Sequence, residues 1–187
     1  MIILGLDIST SITGYCLMDT EGPLGHRLLR ADSIIMSKEK DAYRKSVMVR
    51  EVFKILNAEY QIDKIIVEEN LQAFRRGLSS AKTLSTLARF NGIVSFLAQD
   101  ICEAPVQMIN VNTARKTIGV KVDKKIDVPI KAQILDWVQE QPDFLDYSWP
   151  TKTLKSGPRK GKTIDAPQCY DIADAAVVCL AGINIEH

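Results

Sequence analysis

An α/β domain built on one mixed five-stranded sheet, with helices on both faces, is predicted by three features of the 187-residue sequence. Three extended apolar segments at the start are separated by tight polar turns, the pattern of an antiparallel meander. Two short β-branched runs follow, each preceded by a stretch with helical spacing, as β-α-β crossovers require. The length suits one domain, since single domains run to about 100–200 residues.

Residues 2–6 are almost wholly apolar, which fits a strand buried on both faces. Residues 12–18 (Ile-Thr-Gly-Tyr-Cys-Leu-Met) read as a second strand, reached through the polar turn Ser9-Thr10-Ser11. Glu21-Gly22-Pro23 is a turn signal, and a third strand is expected within 26–36. Residues 40–60 place Val47, Val49, Val52, Phe53 and Leu56 on one side of a helix, with Arg and Lys on the other. Lys64-Ile65-Ile66-Val67-Glu68 is a buried strand. A long helix is expected over 78–101, carrying Leu84, Leu87, Ala88, Ile93 and Leu97. Val106-Gln107-Met108-Ile109 is the last strand, and 127–140 and 170–182 read as helices. The predicted order is β-β-β-α-β-α-β-α-α. A single domain spans 1–187, interrupted at about 142–169 by a segment containing Pro142, Pro150, Gly157, Pro158, Gly161 and Pro167. That composition predicts an irregular basic loop insertion, and 152–162 is expected to be poorly ordered without a bound partner.

Hydrophobic residues make up 46% and charged residues 25%, enough to bury a core and too apolar for an intrinsically disordered chain. The longest apolar runs, such as residues 175–181, fall far short of the roughly 20 residues that span a bilayer. Asp7 interrupts the apolar start, and no basic region precedes it, so no secretion signal is expected. Cys16, Cys102, Cys169 and Cys179 show no CxxC spacing, and the only histidines are His26 and His187. A zinc site is not expected, and the thiols read as reduced cysteines of an intracellular, cytoplasmic protein.

Four carboxylates stand out. Asp7 and Glu68 close two buried strands, where a charge is costly unless paired or metal-bound. Asp171 and Asp174 are three apart at the start of a helix that is otherwise apolar, so they share one face. Each has a plainer reading: Asp171 as a helix cap, Asp7 as a turn residue binding the amides of Ser9 or Thr10, and Glu68 or Glu69 as the partner of a surface arginine. Together, four carboxylates at two strand ends and one helix start point to a pair of hard divalent cations, because Mg²⁺ prefers carboxylate oxygen and water.

The order of elements matches the ribonuclease H-like architecture, and the motifs resemble the RuvC family of Holliday-junction resolvases. Leu4-Gly5-Leu6-Asp7-Ile8-Ser9 with Thr13-Gly14-Tyr15 is similar to that family's first strand and hairpin. Ile66-Val67-Glu68-Glu69 resembles its second acidic strand, and Asp171-Ile172-Ala173-Asp174-Ala175 its closing D-x-x-D-A helix. Arg115-Lys116-Thr117-Ile118-Gly119 and Lys131-Ala132-Gln133-Ile134 resemble its basic segment and active-site lysine. Ile8-Ser9 stands where family members commonly have Pro-Gly. Leu71 stands where a junction-contacting aromatic usually follows the glutamate, with Phe74 three residues further on. The insertion at 142–169 is longer than in bacterial housekeeping members, which points to a phage or viral-type member acting in a bacterial or infected cell.

The resemblance implies a Mg²⁺-dependent endonuclease of branched DNA, with Mn²⁺ able to substitute. Asp7, Glu68, Asp171 and Asp174 are expected to converge on two metals roughly 3.5–4 Å apart. Lys131 is expected to offset charge on the scissile phosphate. A two-fold homodimer is implied, since a four-way junction needs two symmetric cuts that leave 5′-phosphate and 3′-hydroxyl ends. The 78–101 helix serves either as its interface or as a buried core helix.

Net charge is only +1, yet the cations are concentrated. Residues 71–99 carry Arg75, Arg76, Lys82 and Arg89 and no acid. Residues 115–131 carry Arg115, Lys116, Lys121, Lys124, Lys125 and Lys131 against Asp123 and Asp127. Residues 152–162 carry Lys152, Lys155, Arg159, Lys160 and Lys162 and no acid. Cations beside an acidic cluster suit a phosphate backbone. No base-reading motif accompanies them, so the shape of branched DNA is the expected target. Phe74, between Leu71 and Arg75-Arg76, either stacks on an unpaired base or closes the core. Other readings are a nuclease of RNA or RNA–DNA hybrid on the same fold, an actin- or sugar-kinase-like phosphate-binding domain suggested by Asp7-Ile8-Ser9-Thr10-Ser11, and a catalytically silent junction-binding module.

Overall fold

The computed structural model describes residues 1–22, 26–69 and 81–186. Strands β1 (Ile2–Ile8), β2 (Ile12–Asp19) and β3 (Arg27–Ile35) form the antiparallel meander. Helix α1 (Ala42–Tyr60) leads to β4 (Lys64–Glu68), and α2 (Ala81–Cys102) leads to β5 (Val106–Ile109). Both of these strands run parallel to β1, giving the order β3-β2-β1-β4-β5. Helices α3 (Val111–Thr117), α4 (Ile130–Gln139) and α5 (Cys169–Glu186) follow.

The pleat sorts the strands into two cores. Ile3, Cys16, Met18 and Ile66 face α3, α4 and α5. Leu4, Leu6, Tyr15, Leu17, Ile65 and Val67 face α1 and α2, meeting Val49, Phe53, Phe90 and Val94. Both faces of β1 are therefore buried, and that is why its sequence reads as a continuous apolar run rather than an alternation. Helix α5 lies in the first core with Ile172, Ala173, Ala176, Val177 and Ala181 fully or almost fully enclosed.

Two expectations change in the connections. The helix expected at 127–140 begins at Ile130, because Pro129 has no N–H and disfavours helical backbone in the residue before it. Helix α3 lies in a stretch where the sequence pattern predicts no helix; Asn110 caps it, its side-chain oxygen accepting the Asn112 N–H at 3.0 Å.

The segment 142–169 is not an irregular loop. It opens with a single 3₁₀ turn (Pro142–Phe144) and contains an antiparallel hairpin of β6 (Thr151–Thr153) and β7 (Thr163–Asp165). The basic stretch 152–162, expected to be poorly ordered, is the body of that hairpin, tightened by backbone bonds from Gly161 to Leu154 and from Lys160 to Gly157. Gly157 and Gly161 both have left-handed φ, so the glycines that suggested looseness make tight turns. Phe144, Tyr147 and Trp149 anchor the segment, their rings 4.9–5.9 Å apart. Its side chains also serve the edge of β3: Asp143 accepts the Leu28 N–H at 3.3 Å, and the Tyr147 hydroxyl donates to the Ala31 carbonyl at 2.8 Å. An otherwise open sheet edge is thereby partly covered.

Candidate active site

Asp7 follows Ile3 and Gly5 on the face of β1 that meets α5, and Glu68 follows Ile66 on the same face of β4. The parallel register pairs Leu6 with Val67, which places Asp7 and Glu68 side by side at the carboxyl ends of neighbouring strands. Ligands of open α/β sheets collect at that end. The first turns of α5 bring Asp171 and Asp174 over the same place. Two glycines permit the approach. A β-carbon at Gly5 would stand 2.5 Å from the Ala175 carbonyl oxygen, and one at Gly14 would stand 1.9 Å from that of Asp171. The amide-binding part in the turn after β1 falls to Ser9, whose Oγ accepts the N–H groups of Ser11 at 3.3 Å and Ile12 at 3.1 Å.

Asp174 is buried and the other three carboxylates are partly buried. All four hold their protons more tightly than ordinary carboxylates. Loss of water is the largest cause for each. Repulsion from Glu68, Asp174 and Asp171 adds to it for Asp7, against attraction from Lys131. Glu68 is pushed up to about 7, with Asp174 the second cause, and Arg115 and Lys131 opposing.

The expected convergence is only partly present. Among the described residues, no three Asp, Glu, His or Cys side chains stand close enough to share one metal ion. Asp174 is turned to cations instead: Arg115 Nη2 lies 3.5 Å from its Oδ1, and Lys131 Nζ lies 3.7 Å from its Oδ2. Like charges spread, and the two cations supply the neutralisation that the carboxylates cannot supply one another. The donor set nonetheless fits a hard divalent cation, since it is all oxygen, anionic and withdrawn from water.

Of the cations singled out in the sequence, Arg115 and Lys131 reach the carboxylates. Lys82 and Arg89 are exposed on α2, and Lys116 on α3. Lys121, Lys124 and Lys125 are exposed in the connection to α4, and Lys152, Lys155, Arg159, Lys160 and Lys162 on the hairpin. Phe74, Arg75 and Arg76 lie outside the described residues. The sequence reading missed a polar pair behind the site: Asn91 Nδ2 donates to the Glu68 carbonyl at 3.5 Å, and Ser95 Oγ donates to Asn91 Oδ1 at 3.3 Å. Two polar residues four apart in the mostly apolar run 90–98 were the available signal.

No family model and no curated protein sequence matches the chain. Solved structures do. The strand order and the helix over the carboxylates define a ribonuclease H-like fold. Within that class, the chain has the fold of the RuvC-type Holliday junction resolvases. It superposes on Thermus thermophilus RuvC in complex with Holliday junction substrate with a TM-score of 0.64 and 17% identity, covering 100% of this chain and 95% of that one. The yeast mitochondrial Holliday junction resolvase Ydc2 gives 0.56 and 14% identity, over 97% and 77% of the two chains. The Fowlpox virus resolvase bound to Holliday junction DNA gives 0.51 and 14% identity, over 100% and 99%. Among the described residues no helix is long and apolar enough to cross a membrane.

Proposed function

We propose that this protein is a divalent-metal-dependent endonuclease that resolves four-way DNA junctions by paired symmetric nicks. The observation that carries the reading is the placement of Asp7 and Glu68 at the carboxyl ends of adjacent parallel strands, under the α5 turns that bear Asp171 and Asp174, with Arg115 and Lys131 beside them. The likeness of fold to resolvases solved in complex with Holliday junction DNA supports the choice of substrate.

Asp7, Glu68, Asp171 and Asp174 would hold two Mg²⁺ ions, which when bound lower the pKa of an attacking water and stabilise a leaving oxygen. The chain's own groups do the rest. Water adds to the scissile phosphorus, the bond from phosphorus to the 3′ oxygen breaks, and that oxygen takes a proton, leaving a 5′-phosphate and a 3′-hydroxyl. Lys131 reaches the site from the start of α4 and offsets charge building on the non-bridging oxygens. The Asn91–Ser95 pair holds the end of β4, and with it the Glu68 backbone. The exposed lysines and arginines of α2, α3 and the hairpin hold backbone phosphates away from the cut. A two-fold dimer presents two sites to one junction; helix α2, with Phe96 67% exposed, supplies its interface.

Synthetic four-way junction, fork, linear duplex and RNA–DNA hybrid, incubated side by side with Mg²⁺, Mn²⁺ or chelator, test the reading. Metal-dependent, ligatable, symmetric nicks in the junction are expected. Preferential cutting of the hybrid would replace it with a ribonuclease H-type activity, and junction binding without cutting in either metal would replace it with a silent binding module.

A further inference from the structure

Arg115 stands between two features of the surface. On one side is the carboxylate cluster. On the other is a pocket of about 320 Å³ at the end of α3, lined by Arg115, Lys116, Lys121 and Asn112 with Val120 and Val122. Three cations and an amide line it beside the two valines, and among the described residues no carboxylate does, so the charge it offers suits an anion. The backbone beneath is fixed. Ala114 is fully buried, the Val120 N–H donates to the Arg115 carbonyl at 2.9 Å, and Gly119 turns the chain with φ of +76°.

The guanidinium itself is poorly satisfied. Its bond to Asp174 is a long one at 3.5 Å, and its Nε is buried with no hydrogen-bond partner among the described residues. A guanidinium has five donors arranged as a fork that matches two phosphate oxygens, and such bidentate pairs are shorter and stronger than a single long contact. Asp174 is correspondingly occupied, with Arg115 facing Oδ1 and Lys131 facing Oδ2. A carboxylate with a cation at each oxygen is not free to ligate a metal.

We propose that Arg115 couples phosphate binding in this pocket to metal binding by the carboxylates. A DNA backbone phosphate seated between Arg115, Lys116 and Lys121 draws the guanidinium off Asp174, and the released carboxylate then binds a divalent cation more tightly. Without DNA the clamp keeps metal affinity low; the completed site forms only where a backbone is in place. By linkage, metal in turn tightens DNA binding by the same factor. The inference rests on the junction-cleavage reading for the identity of the phosphate, but the clamp on Asp174 is independent of it. Arg115 is here a positioning residue.

Ca²⁺ titration by calorimetry, with and without a synthetic four-way junction and with the DNA-alone heat subtracted, tests this without reading activity. Wild type is expected to bind Ca²⁺ about tenfold more tightly with the junction than without, within the usual span of allosteric coupling. In Arg115→Leu the DNA-free affinity rises severalfold, and the junction adds less. Lys116→Leu removes the same charge from the same pocket without touching Asp174, and its DNA-free affinity stays near wild type. Arg115→Gln repeats the test should the leucine variant fold poorly. An unchanged DNA-free affinity in the Arg115 variants, or an equal rise in Lys116→Leu, overturns the proposal. A wild type that binds no junction overturns the functional reading instead, and the DNA-free arm still decides whether Arg115 restrains Asp174.

Discussion

Gly14 of β2 and Asp171 of α5 meet backbone to backbone: a β-carbon at position 14 would lie 1.9 Å from the Asp171 carbonyl oxygen and 2.4 Å from its carbon. The helix that supplies half of the carboxylates sits where it does because strand residue 14 has no side chain.

Gly14→Ala is therefore expected to displace the first turn of α5. Overpacking of this kind costs typically about 1–3 kcal/mol. Thermal unfolding should show that loss, and single-turnover cleavage should fall further than stability explains, because Asp171 moves with the turn. A variant that melts and cuts like wild type would show that α5 has room to spare.

The carboxylates give the metal-free protein a defined pH dependence. Glu68, raised by burial and then by Asp174 to about 7, binds its proton more tightly folded than unfolded. Its contribution to stability is therefore complete below its ordinary value of 4.5 and is lost as pH rises through about 7. Asp7, Asp171 and Asp174 shift in the same direction. Melting in EDTA should occur at lower temperature at about pH 8 than at about pH 5.5, either side of that transition, and Mg²⁺ should recover the difference at the higher pH. A melting temperature that climbs steadily over that range would contradict the assignment of the cluster.

Asp7→Asn removes a carboxylate that is repelled by three others, Glu68, Asp174 and Asp171. The variant should melt at higher temperature than wild type in EDTA near neutral pH, by an amount on the order of 1 kcal/mol. It should also lose cleavage by at least about 100-fold, as expected when a metal site is dismantled. Junction binding in a gel-shift assay should persist, since the basic surface is untouched. Cleavage near the wild-type rate would remove Asp7 from the site.

Neutralising Lys152, Lys155, Arg159, Lys160 and Lys162 together tests the hairpin. All five are exposed, so folding should be unaffected. Junction binding should weaken, and the slope of log affinity against log salt should flatten by up to about 0.9 for each phosphate that the hairpin no longer neutralises. An unchanged slope would mean that the hairpin never meets DNA.

Phe74→Ala separates the two roles open to that residue. Stacking on an unpaired base predicts normal melting with slower junction cleavage, at about 1–3 kcal/mol per base. A core role predicts a stability loss of about 3–5 kcal/mol with normal cutting by the folded fraction.

Local pattern and tertiary structure divided the information unevenly. The strands could be read from sequence because β1, β2 and β4 are buried on both faces, and continuous burial leaves continuous apolar runs such as Ile2–Leu6 and Ile65–Val67. The carboxylates could be read because Asp7 and Glu68 interrupt those runs at their ends, and because Asp171 and Asp174 are the only charges in an otherwise apolar helix up to Ile185. Segment 142–169 could not be read. Its glycines and prolines are equally at home in a disordered loop and in a tight hairpin, and the meeting of the Phe144, Tyr147 and Trp149 rings decides between them.

By itself the sequence determined the order of elements from β1 to β5, the burial of the strands on both faces and the residue types at the site, since each is recorded locally along the chain. Only the tertiary structure decided how close α5 comes to the sheet, which depends on Gly5 and Gly14 meeting Ala175 and Asp171 from the far end of the chain. It also decided the partner of Asp174. Arg115 belonged by composition to a surface run of cations, but α3 turns it inward to 3.5 Å from a buried carboxylate. Charge pairing acts through space over a few ångströms, and no spacing along the chain records a distance between helices.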